Sequence, residues 1–425
     1  MDDELSIKGL RGVDPRTVPL PHGTQVTTTV ERPLAGQARP IPVGAVGTVV
    51  GLLPEGRLRV RVVGRGEHEF SRAQVRPANH GQMRFAVARA HNEASLRPCA
   101  VLEATVGSRA WGLAESGSDH DLRGVFVLPF GWRQGLATPP PVLVSADGSS
   151  TWWEVERAVR QALRADPNTL EMLWVPQRRV LDPLGQRLVD ARQVFVSQVI
   201  YGSFGRYAMA QAKKLRQSLR LAEHRGLVLD WLRADPALTL DAVAQRLSTH
   251  EVPGPGPDTE RPDMARARQY LKQLYRSLFD QGLLESNSFA GLAELAGRAH
   301  LELSLPRELR PKNAYNLLRI VSGAVQWLRT GEPLIEVDGA LRERLWAIKH
   351  GEVPLRQALA WTEEVAAGLD AARDGSPLPP KPDVEAADAL LREIRTEAAR
   401  RWFGQGPGPW GRDAPRPQPP EALDE

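Results

Sequence analysis

Val106-Gly107-Ser108-Arg109-Ala110-Trp111-Gly112-Leu113, followed by Ser118-Asp119-His120-Asp121-Leu122-Arg123-Gly124-Val125, is the stretch from which the fold is read. Pro98 to Val106 is a mostly apolar run that predicts a strand ended by Gly107-Ser108, and Leu122 to Leu128 predicts a second strand closed by Pro129. Gly107-Ser108 therefore leaves a strand and opens a helical turn, where unpaired backbone N–H groups attract phosphate. Gly107 lets the phosphate approach, and the Ser108 hydroxyl donates a hydrogen bond to it. Asp119 and Asp121 are two residues apart at the start of a strand, so their carboxylates point the same way. Two hard oxygen ligands on one face suit Mg²⁺ or Mn²⁺, and an ion there would bridge to the β and γ phosphates of a nucleotide held by the turn.

An Asp-x-Asp pair alone is usually solvated surface or a helix cap, and a lone Gly-Ser says less. Joined at eleven residues between Ser108 and Asp119, with strands on both sides, they form a specific pattern. It resembles the Gly-Ser and Asp-x-Asp signature of the DNA polymerase beta nucleotidyltransferase superfamily. Within that superfamily, Gly107 to Ala114 and Ser118 to Val125 look like the nucleotidyltransferases associated with bacterial RNA-repair operons. Asp166-Pro167-Asn168-Thr169-Leu170-Glu171-Met172-Leu173 is similar to an Asn-Pro-x-x-Leu-Glu-x-Leu motif of that family, with Asp166 in the Asn position. Tyr207-Ala208-Met209-Ala210-Gln211 matches its Tyr-Ala-x-x-Gln helix, and Lys312 to Arg319 its late helix, with Asn316 in place of His. The resemblance covers residues 97 to 360 and implies transfer of a nucleoside monophosphate from an NTP, with divalent metal, to a hydroxyl acceptor. An RNA end is the acceptor that the repair association suggests, and a protein hydroxyl is the alternative.

One departure from the family bears on mechanism. Its enzymes carry a third carboxylate on a neighbouring strand, about five residues before the position of Glu154, and here that position is Ser149. Asp147, of the same strand parity as Ser149, and Glu154, at the start of the following helix, are the substitutes to consider. If neither serves, a nucleotide- or RNA-binding adaptor with weak or no turnover is the competing reading. The remaining candidate nucleotide-binding residues are Arg109 and Arg123 beside the turn, Lys213 with Arg216 on one helix, and Lys312, Asn316 and Arg319 as a polar stripe at helical spacing. Solvated helix faces or local ion pairs are the plainer readings of each. Trp111, Trp152, Trp153 and Trp174 suit either base stacking or the core.

Outward from this segment, the expected class is α+β: a polymerase-beta-like domain with a mixed sheet over 84–195, and a helical domain over 196–403 with a Pro/Gly linker near 252–263. Six periodic stretches, 208–225, 264–285, 313–329, 341–350, 355–372 and 384–402, predict its helices. Three β-rich runs, 25–30, 44–51 and 57–63, suggest a small SH3-like barrel over 22–78, able to bind protein or nucleic acid. Leu58, Val60 and Val62 alternate with Arg57, Arg59 and Arg61, so one face is buried and the other basic. Residues 1–21 read as a flexible lead-in, and the Pro-rich stretch 404–425 as a disordered tail.

Composition removes several classes. The 425 residues are 42% hydrophobic and 25% charged, ordinary for a folded protein and unlike a disordered one. No run approaches the ~18 apolar residues of a membrane span, and Met1-Asp2-Asp3-Glu4 is unlike a secretory signal, so a cytoplasmic location is expected. Cys99 is the only cysteine and the nine histidines are scattered, which excludes disulfides and a zinc knuckle. Net charge is only +4, but seven of the 55 basic residues are Lys, so Arg carries the basic character, as phosphate recognition or GC-rich coding would have it.

Overall fold

The computed structural model describes residues 17–34, 39–116, 120–136, 138–250, 264–280, 282–298 and 309–416. The expected linker at 252–263, the lead-in up to residue 16, the end of the tail from 417 and the acid Asp119 lie outside the described residues.

The first sheet comprises β1 (Gln25–Thr28), β2 (Val46–Leu52), β3 (Leu58–Val62), β4 (Gly66–Phe70) and β5 (Val75–Pro77), in the order β4-β3-β2-β1-β5. The expected barrel is thus an open antiparallel sheet, whose outer strands β4 and β5 are not hydrogen-bonded to each other. The alternation in β3 reads out as expected: Leu58, Val60 and Val62 are buried with Val26, Val49 and Phe70, and the arginines face out. That outer face is largely neutralised, however. Register places Glu69 opposite Arg59 and Glu67 opposite Arg61, and the ion pairs Arg57–Glu69 (2.8 Å) and Arg61–Glu67 (3.1 Å) form across the strands. A sheet whose basic residues already have carboxylate partners is a weak phosphate binder.

After α1 (His80–Leu96), the second sheet contains β6 (Ala100–Thr105), β7 (Leu122–Phe126), β8 (Val142–Val144), β9 (Ser150–Glu154) and β10 (Arg178–Val180) in the order β10-β6-β7-β9-β8. It is mixed, as expected: β7 runs parallel to β9, and the other pairs are antiparallel. Gly124 of β7 stands opposite Trp152 of β9, and a Cβ there would lie 2.3 Å from the indole Cδ1. Only glycine lets that ring lie across the strand. The Trp152 N–H in turn donates to Glu103 Oε1 (2.8 Å), and Arg97 pairs with the same buried carboxylate, which would otherwise be costly to desolvate.

Helices α2 (Val155–Leu163), α3 (Pro167–Trp174) and α4 (Pro183–Asp190) cover this sheet. A helical turn at Tyr201–Arg206 leads into the long α5 (Tyr207–Ala234). Then come α6 (Leu240–Leu247), α7 (Met264–Asp280), α8 (Phe289–Ala296), α9 (Pro311–Thr330), α10 (Gly339–Lys349), α11 (Leu355–Ala366), α12 (Leu369–Asp374) and α13 (Val384–Gly404). One apolar core runs from Leu96 to Trp410 without a break at residue 195, and includes the first half of α5, all of α9 and one face of α13. A second core joins the end of α5 to α6, α7 and α8. Among the described residues no helix is long and apolar enough to cross a membrane.

Two terminal expectations need correction. Val18 and Leu20 are buried, Val18 against Met83 and Ala86 of α1, so the described end of the lead-in is packed. The tail is also packed as far as it is described. Trp410 is buried and its indole donates to the Val127 carbonyl (2.8 Å), while Trp132 donates to the Pro415 carbonyl (2.7 Å). Proline-rich composition suggested disorder, but two tryptophan hydrogen bonds hold the segment across the end of β7.

Candidate functional site

A cavity of about 1100 Å³ opens where the second sheet meets α5, α9 and α10. Val106, Gly107 and Ser108 form one wall, Asp121 and Arg123 the next, and Lys312, Asn316 and Arg319 of α9 the side opposite. Gly107 to Arg109 makes a single 3-10 turn rather than the opening of a helix, so no helix dipole acts there. Gly107 has φ +73°, a conformation that favours glycine, and a Cβ on it would lie 3.4 Å from Asp121 Oδ2. The turn and the acid therefore converge, as their spacing in sequence implies. The Gly107 N–H is not open to a phosphate: it donates to Glu171 Oε1 (2.9 Å) from α3. Among the described residues Ser108 is engaged through its carbonyl, which accepts from the Leu113 N–H (2.8 Å), and its hydroxyl is left on the cavity wall.

Asp121 continues the β6–β7 ladder by one residue, its carbonyl accepting from the Val106 N–H (3.0 Å). Its carboxylate is about two-fifths exposed, and Arg123, at 3.7 Å, stands beside it. Arg123 is fixed in turn by donating to the carbonyls of Leu122 (2.9 Å) and Ser149 (3.3 Å). Among the described residues no group of three His, Cys, Asp or Glu side chains is placed to hold a metal.

Neither substitute for the third carboxylate lies at this cavity. Glu154 pairs with Phe126, at the far end of β7 and on the opposite face from Arg123. It is buried, bound to Arg133 (2.7 Å), and caps α2 by accepting the Glu156 N–H (2.8 Å). Asp147 lies in the turn between β8 and β9, where its Oδ1 accepts from the Ser145 hydroxyl (2.5 Å) and from the Ser149 N–H (3.1 Å) and hydroxyl (3.0 Å). Burial pushes its pKa up, but those hydrogen bonds hold the carboxyl below its ordinary value. The positions beside Asp121 and Arg123 on the neighbouring strand are Ser149 and Thr151. Hydroxyls stand where the family has an acid.

The basic residues sort by helical phase. Tyr207, Gln211, Lys214 and Ser218 of α5 line the cavity, whereas the expected Lys213 is exposed and off this face. Lys213 is thus replaced by its neighbour. Arg109 is not on the wall either: its turn carries it away, with Nε buried. Lys312 and Asn316 are on the wall, as expected, with Tyr315, whose hydroxyl burial pushes above its ordinary value. Lys349 of α10 completes the set, donating to the Leu113 carbonyl (2.6 Å) and lying 3.4 Å from Glu115. His350 and Lys349 hold the Glu115 carboxyl below its usual value. Five basic side chains thus face three carboxylates, Glu115, Asp121 and Glu171, and the excess is positive.

Glu171 is the residue that sequence reasoning quoted in a motif without assigning a role. Its Oε1 accepts both from Gly107 and from the Trp111 indole (3.0 Å), and its Oε2 lies 3.6 Å from Arg319. Arg319 in turn lies over the Trp111 ring, 4.9 Å from its centroid. This buried quartet ties the turn to α3 and α9. Trp111, Trp152, Trp153 and Trp174 all belong to the main core.

Residues 80–227 match the sequence model of the RNA repair pathway DNA polymerase beta family. The matched segment holds the Gly107-Ser108 turn, Asp121, Glu171 and Lys214, and ends before α9 and α10. No curated protein and no solved structure matches the chain.

Proposed function

Residues 80–227 belong to the RNA repair pathway DNA polymerase beta family, and from that premise we propose that the chain is a nucleotidyltransferase that moves a nucleoside monophosphate from an NTP to a hydroxyl on an RNA end. The observation that carries the reading is the convergence of Gly107 and Asp121 on the edge of a cavity with an excess of cations. In this reading the Ser108 hydroxyl holds the phosphate chain, and Arg123, Lys214, Lys312, Arg319 and Lys349 neutralise it. The same cations stabilise the negative charge that gathers on pyrophosphate as it leaves. The acceptor oxygen forms a bond to the α phosphorus, the bond from that phosphorus to the bridging oxygen breaks, and the hydroxyl proton is lost. With Ser149 and Thr151 in place of an acid, that proton passes to water.

Asp121, together with Asp119, would hold Mg²⁺ or Mn²⁺, since an exposed carboxylate at the phosphate wall is the hard oxygen donor such ions prefer. When bound, the ion supplies charge neutralisation on the phosphates. The test is incubation with labelled NTPs, Mg²⁺ or Mn²⁺ and an RNA pool, comparing the native chain with Asp121→Asn. Label on RNA and released pyrophosphate, both lost in the variant, are expected. Label on protein instead would move the acceptor to a protein hydroxyl.

A second reading, a nucleotide- or RNA-binding adaptor, is favoured by one observation: the acid missing beside Arg123. Tight NTP binding with no transfer in the same assay selects it.

A further inference from the structure

A second cavity, of about 550 Å³, opens beside the first and shares Asn168, Glu171, Tyr207 and Arg319 with it. Its character is different. Trp111, Phe204, Trp327, Leu334 and Ile335 line it, so its walls are aromatic and aliphatic where the first cavity is charged. Two of its lining residues carry buried polar atoms without protein partners: the indole Nε1 of Trp327, which is 3% exposed, and Oε1 of Gln161. A buried tryptophan N–H normally finds an acceptor, and an orphaned donor and acceptor each cost free energy unless something enters to satisfy them.

From this we infer that the second cavity is a nucleobase subsite. A planar ring bearing both hydrogen-bond donors and acceptors matches aromatic walls together with one unpaired donor and one unpaired acceptor. An aliphatic ligand would leave both polar atoms unsatisfied, and a sugar would waste the aromatic walls. The junction supports the same choice. Glu171 Oε1 accepts from Gly107 on the phosphate side and from Trp111 on the ring side, so the two subsites are two hydrogen bonds apart. Arg319, over the face of Trp111, lies between them, where the sugar and α phosphate of a nucleotide would pass. The base is that of the incoming NTP or that of the terminal nucleotide of the acceptor. This rests on the nucleotidyl-transfer reading only for what occupies the first cavity.

Two variants test it. Trp327→Phe keeps the ring and deletes the donor, and Ile335→Trp fills the cavity from the loop after α9. Affinities of the full chain for inorganic tripolyphosphate, for each NTP, for free adenosine, and for short RNAs ending in a normal or an abasic nucleotide are measured by calorimetry, with circular dichroism to check folding. If the NTP base is bound, NTP affinity falls about tenfold in both variants while that for tripolyphosphate is unchanged. If the acceptor base is bound, affinity falls only for RNA with a normal terminal base. The inference is overturned if neither NTP nor RNA binding changes in the folded variants, or if tripolyphosphate weakens in parallel. Should the native chain bind adenosine in a variant-sensitive way but fail to bind tripolyphosphate, the subsite stands and the nucleotidyl-transfer reading falls.

Discussion

The carboxylate of Glu171 accepts the backbone N–H of Gly107 at 2.9 Å. The turn that sequence reasoning assigns to phosphate binding is thereby held by a side chain sixty-four residues away, on a different element. The same oxygen anchors Trp111, and the other oxygen faces Arg319, so three separate groups are organised by one acid that is only about a tenth exposed.

Replacing Glu171 by Ala removes the acceptor for two N–H groups and leaves Arg319 without its carboxylate. The expected cost is about 3 kcal/mol of folding stability, read from urea unfolding. Glu171→Gln keeps a carbonyl acceptor and should cost about 1 kcal/mol. Equal stability of the Ala variant and the native chain would show that the quartet does not hold the turn.

Helical phase makes a sharper test of the cationic wall. Lys214→Ala is expected to raise the KM for NTP about tenfold by removing one charge from the phosphates, whereas Lys213→Ala, one residue earlier and off the cavity face, should leave it within error. The reverse ranking would mean that the triphosphate lies elsewhere on α5.

Much of this was legible in the sequence, and the parts that were not have identifiable causes. β3 and β6 stand out because their burial alternates or is continuous, and five of the six periodic stretches correspond to single helices, α5, α7, α9, α10 and α13. The stretch 355–372 is divided at Ala367-Gly368 into α11 and α12. β9 was hidden because Trp152-Trp153-Glu154 merges into the amphipathic pattern of α2, and its partner strand is far away in sequence. The convergence of Gly107 and Asp121 followed from spacing and local strand direction. Glu171 and Lys349 reach the cavity through tertiary packing, which no local period reports. Lys213 and Lys214 were distinguishable, since Tyr207, Gln211, Lys214 and Ser218 share one helical face. Asp147 and Glu154 failed as metal ligands because each carboxylate is consumed locally, by a turn and by a helix cap respectively.

His224 gives the second core a pH dependence of definite sign. Its side chain is buried and hydrogen-bonded to the Tyr270 hydroxyl (3.0 Å). Burial first, then His250 and Arg220, lower its pKa below 6.5. The unfolded chain thus takes up the proton more readily than the folded one, and stability falls as pH drops from 6.5 through the lowered folded value. Hydrogen exchange at α7 amides should accelerate between pH 6.5 and 5 in the native chain, after correction for intrinsic rates, and less so in His224→Gln. An identical pH slope in the two proteins would clear this histidine of the effect.

The missing acid beside Arg123 can be restored. Thr151 pairs with Arg123 in the parallel β7–β9 register, so both lie on the sheet face that carries Asp121, and its side chain is half-buried at the strand rather than tied up in the preceding turn. Ser149 is the poorer site, because its N–H and hydroxyl both hold Asp147, and an acid there would meet that carboxylate. Thr151→Asp is therefore expected to raise label transfer at limiting Mg²⁺ about tenfold, by adding a hard oxygen ligand and an acceptor for the attacking hydroxyl's proton. Ser149→Asp should give no gain and lower stability, because like charges would oppose each other across the turn. If folded Thr151→Asp binds Mg²⁺ no more tightly and transfers no faster than the native chain, the hydroxyl at this position is not what limits turnover.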